Sequence, residues 1–286
     1  MAEISASIVV KLRKMSGQGM MDCKKALEEA NGDMDKAMEI LRKKGLATLA
    51  KRAERETSQG LVVLTEGPGW VALTTLCCET DFVAKSDDFL AAVAAIKEYA
   101  SACKADKEAN SIAETSVNGK KFSDVITDTV SKTGEKMIVG DYARFHTPKG
   151  GLIGTYVHFN GKVGSMVQID TGDDKTAQAP SLRQAASDIA MHITASKPLA
   201  LDVASLDPLV VEREKEIYAA QVQNKPLEVV KKIVEGKLKK FYSEYCLLEQ
   251  PFVKDDSKTV QQVLAEAAKQ AGGQASIKQF VRFEVG

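Results

Sequence analysis

Apolar side chains fall three and four residues apart through the first part of the chain. Ile4, Ile8, Val9 and Leu12 share one face, and that spacing reads as an amphipathic helix. Gly17-Gln18-Gly19 breaks it. Met20, Met21, Cys23, Lys24, Ala26, Leu27 and Ala30 predict a second helix, ended by Asn31-Gly32. Asp33 is a good N-cap for a third, with Met34, Ala37, Met38, Ile40 and Leu41 on its apolar face as far as Gly45. Residues 1–45 thus read as a small three-helix domain whose Met and Gly-loop surface suits docking. Residues 46–59 are charged and lack strong apolar periodicity. They read as a helical or flexible linker, made locally basic by Lys51, Arg52 and Arg55.

From Gly60 the pattern changes to strands. Leu61-Val62-Val63-Leu64-Thr65 runs to a turn at Gly67-Pro68-Gly69, and Trp70 to Cys78 returns, which predicts a hairpin. Thr80-Asp81-Phe82-Val83-Ala84-Lys85 follows as a strand-to-helix loop, before a helix near 86–103 with Ser86 as its N-cap. A polar stretch reaches Gly119. Phe122 to Lys132 reads as a helix ended by Gly134, and Met137 to His146 as a strand. The order then repeats. Gly151 to His158 is a strand, Asn160-Gly161 a turn signal, and Val163 to Asp170 the return. Leu182 to Thr194 is a helix, Thr259 to Gln270 another, and Ile277 to Val285 a closing strand. Two similar α+β units result, at 60–147 and at 148–198 with 247–286. The second holds an excess at 199–246 with two helical stretches, one from Pro208 towards Val222 and one from Leu227 to Phe241, separated by Asn224-Lys225-Pro226. Two helices joined by a tight turn form an antiparallel hairpin, which serves association or packs on its own domain.

The repeat bears on the Thr80 loop. Position alone favours a core side chain for Phe82, since most Phe residues are largely buried. In the second unit the same junction is Thr171-Gly172-Asp173-Asp174-Lys175 and carries no aromatic. The fold therefore does not need a Phe there, and loops of this kind often carry function.

Composition narrows the function classes. The 286 residues carry 39 basic and 39 acidic side chains and a net charge of zero, which argues against a general nucleic-acid coat. No apolar run approaches the ~20 residues of a membrane span. The N-terminus lacks a secretory or transit pattern, so a cytoplasmic protein, or a mature form already cleaved, is expected. The five cysteines are odd in number and lack C-x-x-C spacing, as reduced, buried thiols do. His146, His158 and His192 stand in different elements without metal-ligand spacing, and no nucleophile elbow, phosphate loop or dinucleotide fingerprint is present. His192, in the apolar helix Ile189-Ala190-Met191-His192-Ile193, reads as a hydrogen-bonded core or interface histidine; His158, near a hairpin tip, reads as exposed. No metal, cofactor or catalytic residue is expected, and a binding protein is favoured over an enzyme.

The segments Gly19-Met20-Met21-Asp22-Cys23-Lys24-Lys25-Ala26-Leu27, Thr80-Asp81-Phe82-Val83-Ala84-Lys85, Ile189-Ala190-Met191-His192-Ile193, Gln250-Pro251-Phe252-Val253 and Arg282-Phe283-Glu284-Val285 resemble those of the elongation factor Ts family, in the family's order over nearly the whole chain. The resemblance implies a guanine-nucleotide exchange factor for elongation factor Tu in translation elongation, with no covalent step. It implies a UBA-like three-helix bundle, then two related α+β subdomains with an inserted helical hairpin. It gives Asp81 and Phe82 the central role, entering the GTPase domain and displacing what holds Mg²⁺ and the phosphates, with Thr80 and Val83 shaping the loop. Arg13, Met20 and Met21 match an N-terminal contact region, and His158 matches a partner-facing histidine. The hairpin is where a homodimer or heterotetramer would form. Some members continue past the last strand with an added helix; with Gly286 last, a contact made by that helix is expected to be absent or supplied elsewhere. The competing reading is a scaffold or chaperone-like adaptor, which has no use for a wedge aimed at a phosphate site. A hydrolase would need an acid or His cluster that the sequence does not display.

Overall fold

The computed structural model describes residues 4–222 and 226–286 of a mixed α+β chain. Asn224 and Lys225, in the expected break between the inserted helices, lie outside the described residues, as do Met1, Ala2 and Glu3. The chain divides into two units. One takes the described residues as far as Arg144 with Asn160–Lys162 and Phe283–Gly286; the other takes Phe145–Phe159 and Val163–Arg282.

The first unit opens with α1 (Ala6–Ser16), α2 (Met20–Glu29) and α3 (Met34–Lys51). Val9, Leu12, Cys23, Leu27, Ala37 and Leu41 form their shared core. Gly17 ends α1 in the left-handed region at φ 69°, and the Asp33 carboxylate caps α3 by accepting from the Asp35 and Lys36 N–H groups. The third helix does not stop at Gly45 but continues to Lys51, into the first part of the segment expected as a helical or flexible linker. Gly45 is buried and lies against Thr127 and Ser131, where an added Cβ would come within 2.7 Å of the Thr127 carbonyl oxygen. It is a close-approach glycine, not a stop.

The hairpin follows as β1 (Gln59–Gly67) and β2 (Trp70–Cys78), with Gly67 paired to Trp70 across Pro68-Gly69. Next come α4 (Asp81–Ala84), α5 (Asp87–Ala102), α6 (Ala109–Ala113), β3 (Ser116–Val117), β4 (Lys120–Lys121), α7 (Phe122–Thr133) and β5 (Met137–His146). The sheet order is β1-β2-β5. Its central strand is buried from Val71 to Cys78, which is why it reads as an apolar run instead of an alternation. Phe89, Ile96, Phe122 and Val130 pack from α5 and α7 beside Leu76.

The second unit pairs β6 (Gly151–Val157) with β7 (Val163–Asp170). It continues with α8 (Asp174–Gln178), α9 (Pro180–Ser196), α10 (Pro208–Ala220), α11 (Leu227–Tyr245), β8 (Pro251–Phe252), β9 (Asp255–Thr259), α12 (Val260–Gln270) and β10 (Ser276–Glu284). Its sheet order is β10-β7-β6, so the return strand of the hairpin is again central. Val167, Ile169, Leu182, Ile189, Ile193 and Leu264 lie in its core. The excursion carrying α10 and α11 leaves and returns at one place. The Leu199 and Ala200 N–H groups donate to Tyr245 O, and Leu247 N–H donates to Ala200 O.

His192 is fully buried. Its Nδ1 accepts from the Val253 N–H at 3.1 Å, so the proton sits on Nε2, 2.8 Å from Gln250 Oε1. The expected hydrogen-bonded core histidine is what the fold contains. All five cysteines are buried and unpaired. Among the described residues no helix is long and apolar enough to cross a membrane, and no cluster of His, Cys, Asp or Glu could hold a metal ion.

Candidate partner interface

Thr80-Asp81-Phe82-Val83 is not the irregular loop its composition suggests. It is a capped helical turn. Thr80 is extended (φ −122°, ψ 157°), and its Oγ1 accepts from the Val83 N–H. That hydroxyl supplies an acceptor for one of the N–H groups a helix start leaves unpaired. Ala84 is buried and Val83 half-buried, both against the first unit's core. These two side chains hold the turn down.

The other side of the turn faces out. Phe82 is 83% exposed, which resolves the choice between core and surface. Asp81 is exposed beside it and accepts from Lys85 Nζ at 2.8 Å. That hydrogen bond holds the Asp81 carboxyl below its ordinary value, so it is an anion at neutral pH. The turn therefore presents an apolar ring next to the Asp81–Lys85 ion pair, at the end of a buried strand. Such a turn can fill an apolar recess and exchange its internal ion pair for charged groups of a partner.

Neighbouring carboxylates brace the turn. The Thr80 N–H and hydroxyl both donate to Glu135, at 3.0 and 2.8 Å. Glu79 accepts from Arg52 Nη1 at 2.7 Å and from the Lys136 N–H at 2.6 Å. Burial raises the Glu79 carboxyl, but those two donors outweigh it and leave the group below its ordinary value. Sequence inspection singles out neither glutamate, because their partners are remote in the chain.

Met20 and Met21 open α2 and are 42% and 63% exposed. With Ile4, Val9, Val10 and Lys24 they line an apolar groove of about 250 Å³. Arg13 is exposed on the last turn of α1 and is not part of that lining. In the second unit His158 is half-buried, not exposed as expected. Its N–H donates to Val163 O at 2.9 Å, and its ring lies 4.3 Å from that of Phe159 and 6.5 Å from that of Tyr156. Its Nδ1 is buried without a hydrogen-bond partner among the described residues. Phe159 itself, 93% exposed, is missing from the sequence expectations. The signal was present: an aromatic between the two strands of a hairpin, as Phe82 is an aromatic between a strand and a helix.

Comparison with known proteins places these residues in a family. The family model described as elongation factor TS matches residues 79–286, starting one residue before Thr80. Over the full chain the sequence is 40% identical to elongation factor Ts of Desulfovibrio desulfuricans, covering 100% of this chain and 99% of the relative. It is 43% identical to elongation factor Ts of Nitratiruptor sp., covering 99% and 93%. Elongation factor Ts of Clostridium perfringens is 40% identical over 99% of this chain. At this identity and over this extent of both chains, the chain belongs to the elongation factor Ts family.

Proposed function

We propose that the chain is a guanine-nucleotide exchange factor that binds elongation factor Tu and promotes GDP release. In this reading the Asp81-Phe82 turn enters the GTPase and disturbs its Mg²⁺ and phosphate site. The observation that carries it is the outward Phe82, 83% exposed on a capped turn. Because the Thr80 cap already fixes the backbone of the turn, little further backbone ordering is needed when Phe82 is buried by a partner. Burying a Phe side chain is worth roughly 1.5–3 kcal/mol. Coupling between two ligands of one protein is typically ~1–3 kcal/mol and is reciprocal, so bound nucleotide weakens the exchange factor by the factor it suffers. No bond is made or broken; the chain acts as a ligand of the GTPase and not as an enzyme.

The other contacts extend the same reading. Met20 and Met21, in their apolar groove, and Arg13 beyond it form a second grip on a UBA-like bundle at 1–45. His158 and Phe159 form a third on the later subdomain. Residues 60–147, and 148–198 with 247–286, are related subdomains, supported by their shared sheet order. The hairpin at 199–246 is the element for self-association. The site of action is the cytoplasm, without a direct nucleic-acid contact.

The test is release of labelled GDP from elongation factor Tu. The chain accelerates release, and Phe82→Ala removes most of the acceleration. Unchanged release with the wild-type chain refutes exchange. Equal activity of the variant refutes the wedge alone.

A further inference from the structure

We propose that Glu135 is a positioning residue for exchange, acting only through the aim of Phe82 on the Asp81-Phe82 turn. This rests on the function proposed above for that turn. Thr80 is half-buried, and a polar group left unpaired there is costly. Its N–H donates to Glu135 Oε2 at 3.0 Å. Its hydroxyl donates to Glu135 Oε1 at 2.8 Å and accepts from the Val83 N–H at 3.3 Å. Its carbonyl accepts from the Ala84 N–H at 3.1 Å and from the Cys78 thiol at 3.3 Å. Every polar atom of Thr80 is used, and one carboxylate takes both donors.

That geometry fixes direction as well as position. A hydroxyl rotor can satisfy a helix cap in more than one orientation. With its proton held by Glu135, the Thr80 oxygen turns its lone pair towards Val83, which sets the first turn and the direction in which Phe82 leaves it. Hydrogen bonds to an ionised carboxylate are about twice as strong as neutral ones. Glu135 is itself fixed. It follows Gly134, the left-handed residue ending α7 at φ 73°, and precedes Lys136, whose N–H donates to Glu79. Gly134-Glu135-Lys136 thus holds the end of β2 at two successive residues, Glu79 and Thr80. Phe82 makes no hydrogen bond through its side chain, so its aim depends on this frame.

A residue that only supports the fold would slow exchange by unfolding the chain. A positioning residue loses its influence once Phe82 is gone. Two measurements separate these. In the free chain, Glu135→Ala raises amide hydrogen exchange at Val83 and Ala84 about tenfold and leaves β2 and α5 unchanged. In GDP release at saturating chain, Glu135→Ala lowers the rate about tenfold, while Phe82→Ala/Glu135→Ala matches Phe82→Ala alone. Glu135→Gln, which keeps one acceptor oxygen, falls between wild type and Glu135→Ala. Unchanged amide exchange overturns the clamp. Faster amide exchange with a wild-type release rate, or losses that multiply in the double variant, overturns the positioning role. If the wild-type chain fails to release GDP, the function of the turn is wrong, and the amide exchange of the free chain still decides whether Glu135 holds it.

Discussion

At the scale of single residues, Phe82 and His192 show opposite uses of a conspicuous side chain. Phe82 is 83% exposed, so Phe82→Ala removes little from the folded chain, within the ~0.5 kcal/mol typical of surface changes. Its cost is expected in the complex, where losing an aromatic anchor weakens binding to nucleotide-free elongation factor Tu about ten- to a hundredfold. Thermal unfolding beside a titration of the complex separates the two; a large drop in melting temperature would place Phe82 in the fold instead. His192 belongs to the core. Burial lowers its pKa from the ordinary 6.5, while the hydrogen bond to Gln250 acts the other way. The unfolded chain then binds the proton more tightly than the folded one. The stability from neutral His192 is fully present above about pH 6.5 and is lost as the pH falls towards the depressed folded value. Urea unfolding at pH 7.5 and 5.5 should show wild type losing stability at the lower pH, and His192→Gln losing less. An equal loss in both would assign the pH dependence to other groups. The apolar stripe around His192 makes its burial legible in the sequence. Its tautomer is not, because the Val253 N–H that fixes it is 61 positions away.

At the scale of elements, capping residues were the most readable part of the chain. Asp33 and Ser86 each accept from backbone N–H groups at a helix start, and short polar residues before an apolar period announce that role. What escaped was short or tertiary. The β8–β9 hairpin, α6 and the β3–β4 pair span too few residues for a period to show. The turn α4 is four residues long, and its acceptor is visible only once Thr80 is seen against Glu135. Gly45 misled for a physical reason: a glycine ending a helix and a glycine admitting a neighbour look alike in sequence. The distinction is testable through sign. In an exposed helix interior Gly→Ala stabilises by ~1 kcal/mol. At Gly45 the new Cβ meets Thr127 O and the Ser131 hydroxyl, and overpacking costs about 1–3 kcal/mol. Gly45→Ala should therefore lower the urea midpoint. Adding Ser131→Gly should recover part of the loss and not all, since the Thr127 carbonyl remains. A raised midpoint in Gly45→Ala would mean that α3 and α7 separate easily.

At the scale of the whole molecule, the cores are built separately from the inserted hairpin. Phe241, Leu206, Ala200 and Cys246 form a cluster of their own at its base, apart from the cluster of Val167, Ile189 and Leu264 that supports the second sheet. Beyond the base the helices carry apolar residues left exposed among the described residues, with Leu209 78% and Leu227 80% exposed. Exposure at this level fits a surface that meets another protein. Because residues 199–201 already pair with residues 245–248 through backbone hydrogen bonds, the excursion can be replaced by a short link without opening a long loop, and loop-closure cost grows only slowly with length. Replacing residues 203–244 by a short Gly-Ser link should leave a cooperatively folded chain that still releases GDP at the wild-type saturated rate. Sedimentation should then read a monomer for the shortened chain and a dimer for the parent. A shortened chain that unfolds would show that the hairpin supports the second core. A shortened chain that folds but no longer releases GDP would move part of the partner interface onto α10 and α11, away from the turn at Phe82.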